Sequence, residues 1–189
     1  MRQPVPDPRP VRAEPGEADA CGVAGTWVRE YLCRPHPELG RSGPVCPYAR
    51  RALDRGMVWA VTWPDCPADA TAMTAIMAEC LHWFERSTDP DQALLVLFPR
   101  LTAADHGLTI EGVQRRLKPA FVRRGLMIGE FHDGPPDVPG LHNPWFRPLR
   151  SPVPLLAVRH MVHSDLPFLQ GDPEHLAAYR RFFPLRSSR

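Results

Sequence analysis

Proline is the residue that most constrains how this chain can fold. The sequence of 189 residues contains 24 prolines, about an eighth of the chain, whereas proline makes up roughly 5% of an average protein. Each proline fixes the backbone angle φ and removes a backbone donor, so it interrupts helices and central strands. The sequence therefore predicts short secondary-structure elements joined by long ordered loops.

The first twenty residues form the most proline-rich end of the chain. They carry Pro4, Pro6, Pro8, Pro10 and Pro15 among scattered charges, with almost no large apolar side chain. A segment of this composition buries too little apolar surface to offset the entropy lost on ordering. We therefore predict a disordered tail over residues 1–20 and a single α/β domain over residues 21–189, a length ordinary for one domain.

The charge, the apolar runs and the cysteines of the sequence limit which partners and which cellular compartment we expect for the protein. The 23 basic and 21 acidic residues leave a formal net charge of +2, too small to create the field that attracts nucleic acid. No apolar run approaches the roughly 18 residues of a membrane span or has the form of a signal peptide. The five cysteines are an odd set without a CxxC pair, which argues against a disulfide framework. We expect a cytoplasmic protein with no nucleic-acid and no membrane partner.

Hydrophobic periodicity predicts a mixed α/β fold. Apolar residues recur at helical spacing most clearly over residues 73–84, whereas a continuous apolar run bounded by prolines is typical of a buried strand. The predicted helices are residues 22–33, 46–53, 73–84, 109–124 and 173–183, and the predicted strands are residues 57–63, 93–98, 126–131 and 153–161. We expect a mixed sheet of about four strands packed with helices, in which the first strands run parallel.

A long segment between the last two predicted strands is the first candidate for a functional site. Residues 132–152 contain six prolines and two glycines, and ordered loops of this length are usually functional. His142 and Asn143 are the candidate catalytic residues of this loop, and Arg147 and Arg150 have the guanidinium groups that pair with carboxylates. The alternative interpretation is that the arginines are solvated and the neighbouring aromatic side chains only anchor the loop.

Cys46 is the second candidate, because Pro47 places it at the start of a predicted helix. The N-terminus of a helix favours a thiolate, and Arg41 lies nearby in the sequence. Such a thiolate can attack an electrophile, undergo redox chemistry or ligate haem iron. The alternative interpretation is a cysteine that fills space in the core.

Two histidines close to the end of the last predicted strand are the third candidate. His160 and His163 can ligate a metal or transfer protons, and α/β folds place ligands at strand ends. Alternation along a strand points the two side chains to opposite faces, which disfavours a zinc site made of this pair.

Two segments carry a resemblance to known families. Residues 40–48 (GRSGPVCPY) and 142–154 (HNPWFRPLRSPVP) resemble an actinobacterial family of uncharacterised domains, over roughly residues 25–185. The chain is also distantly similar to YqcI/YcgG-type proteins, which carry a Phe-Pro-Cys motif before their first strand, whereas the order here is Val45-Cys46-Pro47. That family includes haem-dependent enzymes that N-hydroxylate arginine-like amino acids.

The resemblance implies haem b as cofactor, with Cys46 as its thiolate ligand and His160 or His163 as the alternative axial ligand. It also implies that Arg147 and Arg150 pair with haem propionates or with a substrate carboxylate, and it adds Arg41 to the cofactor-binding residues.

The leading hypothesis for function is a haem-dependent oxygenase of a small amine or amino acid in natural-product biosynthesis, supplied by an electron donor. One alternative is a non-catalytic module that binds a small molecule or a protein through the long loop. A cofactor-free cysteine enzyme is the other.

Overall fold

The computed structural model describes residues 8–135, 143 and 145–184. Its strands are β1 (Val11–Arg12), β2 (Val58–Thr62), β3 (Ala93–Leu97), β4 (Leu126–Phe131) and β5 (Leu155–His160). Its α-helices are α1 (Ala20–Trp27), α2 (Pro47–Asp54), α3 (Ala70–Phe84), α4 (Ile110–Val122) and α5 (Pro173–Phe182). A π-helical turn, Val28–Leu32, continues α1, and two short 3-10 helices cover Pro37–Leu39 and His163–Phe168. The predicted mixed α/β fold is confirmed.

The strands form one sheet in the order β1-β2-β3-β5-β4. Strands β2 and β3 are parallel and are connected through α3, while the other three pairings are antiparallel. A parallel pair needs a crossover that is usually helical, and α3 supplies it here. The expected parallel pairing of the first predicted strands is thus present in a sheet that is otherwise antiparallel.

Central strand β3 is covered on both faces of the sheet. Leu95 and Leu97 belong to the apolar cluster formed with α1 and α2, whereas Leu94 and Val96 belong to the cluster formed with α3 and α4. This two-sided burial explains why the strand is a continuous apolar run without alternation. The domain therefore has three layers, with one pair of helices on each side of the sheet.

Helix ends follow the local sequence closely. Asp19, Asp69 and Asp172 each cap a helix by accepting hydrogen bonds from backbone N–H groups of the first turn, as short carboxylates do at this position. Pro47 is the first residue of α2 and Cys46 is its N-cap, which confirms the predicted position. Pro119 lies within α4, which still continues to Val122, so this proline does not end the helix.

The predicted tail over residues 1–20 is wrong for residues 11–20. β1 pairs with the outer edge of β2, with Val11 opposite Ala60, and the N–H of Ala13 donates to the carbonyl of Val58 at 3.0 Å. The side chain of Ala13 is 4% exposed, and α1 already begins at Ala20. Backbone hydrogen bonds and one small buried side chain hold this segment in place. The sequence prediction missed it because it relied on large apolar side chains, which the segment lacks. Residues 1–7 lie outside the described part of the chain.

Gly25 tests how closely this N-terminal segment packs on α1. A Cβ at this position would lie 2.6 Å from the carbonyl oxygens of both Ala13 and Glu14, and backbone cannot easily move away. We expect Gly25→Ala to lower the free energy of unfolding in urea by about 1–3 kcal/mol, as overpacking does, despite the better helix propensity of alanine.

Gly107→Ala is the matched control, because no heavy atom lies within 4 Å of a Cβ built there. We expect that exposed substitution to change the free energy of unfolding by less than about 0.5 kcal/mol. Equal stability of the two variants would show that residues 13 and 14 do not pack against α1.

Candidate functional site

A cavity of about 770 Å³ lies between the first helical layer and the loop that returns to β5. Its volume is within the roughly 300–1,000 Å³ range of small-molecule sites. The aromatic residues that line it are Trp27, Tyr31, Trp145 and Phe146, and the charged or ionisable ones are Glu17, His36, Glu38, Asp133, Arg147 and Arg150. The cavity thus combines aromatic surface with charges of both signs.

Two aromatic side chains, Trp27 at the end of α1 and Tyr31 in the π-helical turn that follows it, hold the long loop in place. The indole Nε1–H of Trp27 donates to the carbonyl of Arg150 at 3.0 Å, and the hydroxyl of Tyr31 donates to the carbonyl of Arg147, also at 3.0 Å. Both bonds act on the backbone, so they fix where the two arginines emerge. Trp27 is buried against Tyr31 and Phe131, whereas Tyr31 is half-buried.

The loop is also tied down at its base. His132 forms an isolated β-bridge with Arg150, in which the N–H of His132 donates to the carbonyl of Leu149 and the N–H of Ser151 donates back to that of His132. The two ends of the loop therefore meet, and the backbone at Arg150 has a defined position beside the cavity.

The inner wall of the cavity is aromatic. The rings of Trp27 and Tyr31 lie stacked with centroids 6.4 Å apart, and the ring of His36 lies 4.7 Å from that of Phe146. Phe146 is buried, whereas Trp145 is 80% exposed. The cavity consequently has a packed wall on one side and a large exposed aromatic group at its rim.

Charges of both signs meet near Tyr31. Arg150 forms an ion pair of 2.9 Å with Asp133, while Glu17 and Glu38 contribute carboxylates to the same cavity. Burial raises the pKa of Tyr31, the positive charge of Arg150 opposes that increase, and the negative charge of Glu38 adds to it. The hydroxyl therefore lies within the fields of an arginine and a glutamate.

Cys46 and Arg41 lie outside this cavity. Cys46 is half-buried against the apolar cluster of α1 and α2 and lines neither this cavity nor a smaller one of about 310 Å³ beside α2. The guanidinium of Arg41 donates to the carbonyls of Ser42 and Val45. Arg41 thus braces the turn that precedes Cys46.

The two histidines at the end of β5 lie in different surroundings. The ring of His160 is 5.3 Å from that of Phe84, in the layer of α3 and α4, and its Nε2 is buried without a hydrogen-bond partner. The ring of His163 lies 4.2 Å from that of Phe183, and its carbonyl accepts from the Tyr179 hydroxyl. The expected separation of the two side chains is observed.

The predicted haem ligands do not assemble in the described residues. Cys46 lies on one face of the sheet, His160 lies on the other, and His163 packs beside α5, while Arg147 and Arg150 line a cavity that contains none of the three. The described ranges contain no group of three His, Cys, Asp or Glu side chains able to hold a metal ion. These residues therefore do not fit a haem that is bound by the predicted axial ligands and paired with the two arginines.

The structure describes one of the two candidate catalytic residues of the loop. His142 lies outside the described residues. The Asn143 side chain accepts a hydrogen bond from the N–H of Trp145 at 2.9 Å, and its carbonyl accepts from the N–H of Phe146. In the structure Asn143 therefore shapes the turn that presents the two aromatic residues.

A buried cluster of two histidines and a glutamate near the base of the loop was not predicted from the sequence. The ring of His132 lies 4.4 Å from that of His106, and its Nε2 is 3.2 Å from a carboxylate oxygen of Glu111. Burial lowers the pKa of His132, His106 lowers it further, and Glu111 opposes the decrease. These residues lie far apart in the sequence, so only the fold brings them together.

Across the part of the chain that the structure covers, no helix is long and apolar enough to cross a membrane.

Burial lowers the pKa of three histidines, His132, His160 and His175, which makes stability depend on pH. In the unfolded chain they bind protons near the ordinary value of about 6.5, whereas in the folded protein they do so only at lower pH. As the pH falls through about 6.5, the unfolded state takes up protons that the folded state does not, and the free energy of unfolding decreases. Urea unfolding between pH 7.5 and 5.5 measures this slope.

Replacing one of these histidines isolates its share of the slope. We expect His160→Gln to make the decrease in stability toward pH 5.5 shallower, because position 160 no longer titrates. His82→Gln, at an exposed position of α3, is the control and should keep the wild-type slope. Identical slopes for all three proteins would contradict the assignment to His160.

Comparison with known proteins places the chain in a family. No curated protein and no solved structure showed significant similarity to it. One family model, that of the domain of unknown function DUF6875, matches residues 22–189. The match includes most of α1, the residues Trp27 and Tyr31 that hold the loop, and strands β2 to β5. The chain therefore belongs to the DUF6875 family.

Proposed function

We propose that this domain binds an amino acid, or a related small amine that carries a carboxylate, in the cavity between α1 and the 145–152 segment. The observation that carries the proposal is the combination, in one cavity, of aromatic side chains, carboxylates and arginines. An amino acid presents one positive and one negative group, and each has a matching partner here.

The aromatic wall and the acidic side chains suit the ammonium group. Ring faces attract cations electrostatically, and the more exposed aromatic side chains that line the cavity are Trp145, at its rim, and half-buried Tyr31. Glu17 and Glu38 add negative charge at the same cavity. Glu38 also influences Tyr31 electrostatically, which brings its charge close to the aromatic wall.

The two arginines suit the carboxylate. A guanidinium carries five N–H donors in a planar fork and binds carboxylates in bidentate fashion. Arg150 uses part of its fork on Asp133, and the backbones of both arginines are fixed by Trp27 and Tyr31. Positioned donors of this kind cost less entropy on binding than mobile ones.

A matched series of indole compounds tests the proposal. Tryptophan carries both charged groups, tryptamine lacks the carboxylate and indole-3-propionate lacks the amine. We expect calorimetric titration to show tryptophan binding at least about tenfold more tightly than either analogue, since a charge-assisted hydrogen bond contributes about 1.5–3 kcal/mol. The series is repeated with arginine, agmatine and 5-guanidinopentanoate to vary the side chain.

Two substitutions assign the charges. Arg147→Gln should reduce amino-acid affinity toward that of the amine analogue, and Glu38→Gln should reduce it toward that of the carboxylate analogue. Arg100→Gln is the control, because that arginine pairs with exposed Asp65 outside the cavity. Equal affinities across both series, or variants that all bind as wild type, would refute the proposal.

Haem-dependent oxidation of such an amine is a second candidate. Arg147 and Arg150, which the resemblance pairs with haem propionates, both line the cavity, but Cys46 lies outside it, so the predicted thiolate ligation needs a test of its own. This hypothesis predicts a Soret band when haem is added to the protein, and that the band is lost or shifted in Cys46→Ser. Protein that takes up no haem, or a band unchanged by Cys46→Ser, would reject the predicted thiolate ligation.

A further inference from the structure

The segment between Cys33 and Cys46 is closed at its base by backbone contacts. Pro35 and Pro44 form an isolated antiparallel bridge, and the N–H of Cys46 donates to the carbonyl of Leu32 at 2.8 Å. Cys33 directly follows the π-helical turn, and Cys46 directly precedes α2. The two cysteines therefore stand at the two ends of one closed segment.

The bridge also sets which residues face each other. One residue outward from the bridge, the N–H of Val45 donates to the carbonyl of Arg34 at 2.9 Å, whereas the next bond outward joins Cys46 to Leu32. Cys33 has helical backbone angles at the end of the π-helical turn and directly follows the residue whose carbonyl Cys46 contacts, so the two cysteines are neighbours. Both side chains contact the same apolar cluster under α1 and α2.

This placement brings the two cysteines close together. The backbone nitrogen of Cys46 lies 2.8 Å from the carbonyl oxygen of Leu32, the residue before Cys33, and disulfides span Cα separations of about 4.4–6.8 Å. We propose that Cys33 and Cys46 are a thiol pair that small disulfides, of the class of oxidised glutathione, convert to an intramolecular disulfide.

The surroundings of the pair give such a reagent access. Cys46 is half-buried and is the thiol that a small disulfide can reach first. Cys33 is buried at the smaller cavity of about 310 Å³, where Arg34 and Arg50 form ion pairs with Glu30 and Asp54. Burial raises the pKa of Cys33 to about 11, and the neighbouring Cys46 thiol adds to that increase. Cys46 is the more exposed of the two thiols, so the first exchange takes place at Cys46.

The reaction is two successive thiol–disulfide exchanges. Cys46 Sγ, as thiolate, attacks one sulfur of oxidised glutathione, so that a mixed disulfide forms and one glutathione thiolate leaves. Cys33 Sγ then loses its proton, attacks Cys46 Sγ and displaces the second glutathione thiolate. In total two protein thiols are oxidised, one glutathione disulfide is reduced, and the two thiol protons are transferred to the two released glutathiones.

Mass spectrometry of the full chain after incubation with oxidised glutathione tests the pair. We expect the wild-type protein to lose the mass of two hydrogens, to yield a cross-linked peptide joining residues 33 and 46, and to return to its original mass with dithiothreitol. Cys33→Ser should stop at the mixed disulfide on Cys46, which adds one glutathione. Cys21→Ser and Cys66→Ser should form the cross-link like wild type.

Other outcomes overturn the proposal. They are a wild-type protein in which all five thiols remain free, a mixed disulfide on Cys46 that persists without a cross-link, or a cross-link that joins any other two cysteines. The peptide map of the wild-type chain decides the matter alone, so a variant that fails to fold does not leave the question open.

Discussion

Burial of β3 on both faces is the constraint on which the rest of this structure depends. A strand whose successive side chains all need apolar partners must have helices above and below it, and α1 with α2 occupy one side while α3 with α4 occupy the other. The sheet then separates the chemistry of the chain into two compartments. Cys46 and the aromatic cavity lie with the first pair of helices, whereas His160 lies with the second. The sheet therefore keeps apart residues that the sequence equally suggests as site residues.

The long proline-rich loop presents a second physical problem. Prolines have no backbone N–H, so few donors within the loop can pair with its backbone carbonyl groups. Buried backbone acceptors almost always find a donor, and the donors here are the indole and hydroxyl groups of Trp27 and Tyr31. The same two bonds that satisfy the loop also fix the backbone of Arg147 and Arg150, which line the cavity together with the aromatic side chains. Loop anchoring and formation of the cavity are therefore one event, and a loop without these donors would lose both.

How much the sequence can predict follows from the range of the interactions. Helix α3 and strand β3 were predicted because local periodicity determines them, and Cys46 at the start of α2 because Pro47 follows it. The strand β1 was missed because its support is backbone pairing with β2 and one small side chain. Arg147 and Arg150 were predicted as site residues because they lie in an unusually long loop. Trp27 and Tyr31 were not, because in the sequence they resemble ordinary core residues of a helix. Their role depends on contacts more than a hundred positions away, which no local pattern encodes.

The two proposed sites share one stretch of chain. Residues 34–45, between Cys33 and Cys46, supply His36 and Glu38 to the larger cavity. A disulfide at the base of this segment would reduce the number of conformations open to it, and so would change the entropy lost when a ligand orders those two side chains. Coupling of this kind is reciprocal, so a ligand that holds His36 and Glu38 in place must also change the ease with which the thiol pair is oxidised. The backbone bridge between Pro35 and Pro44 is the element that connects the two sites.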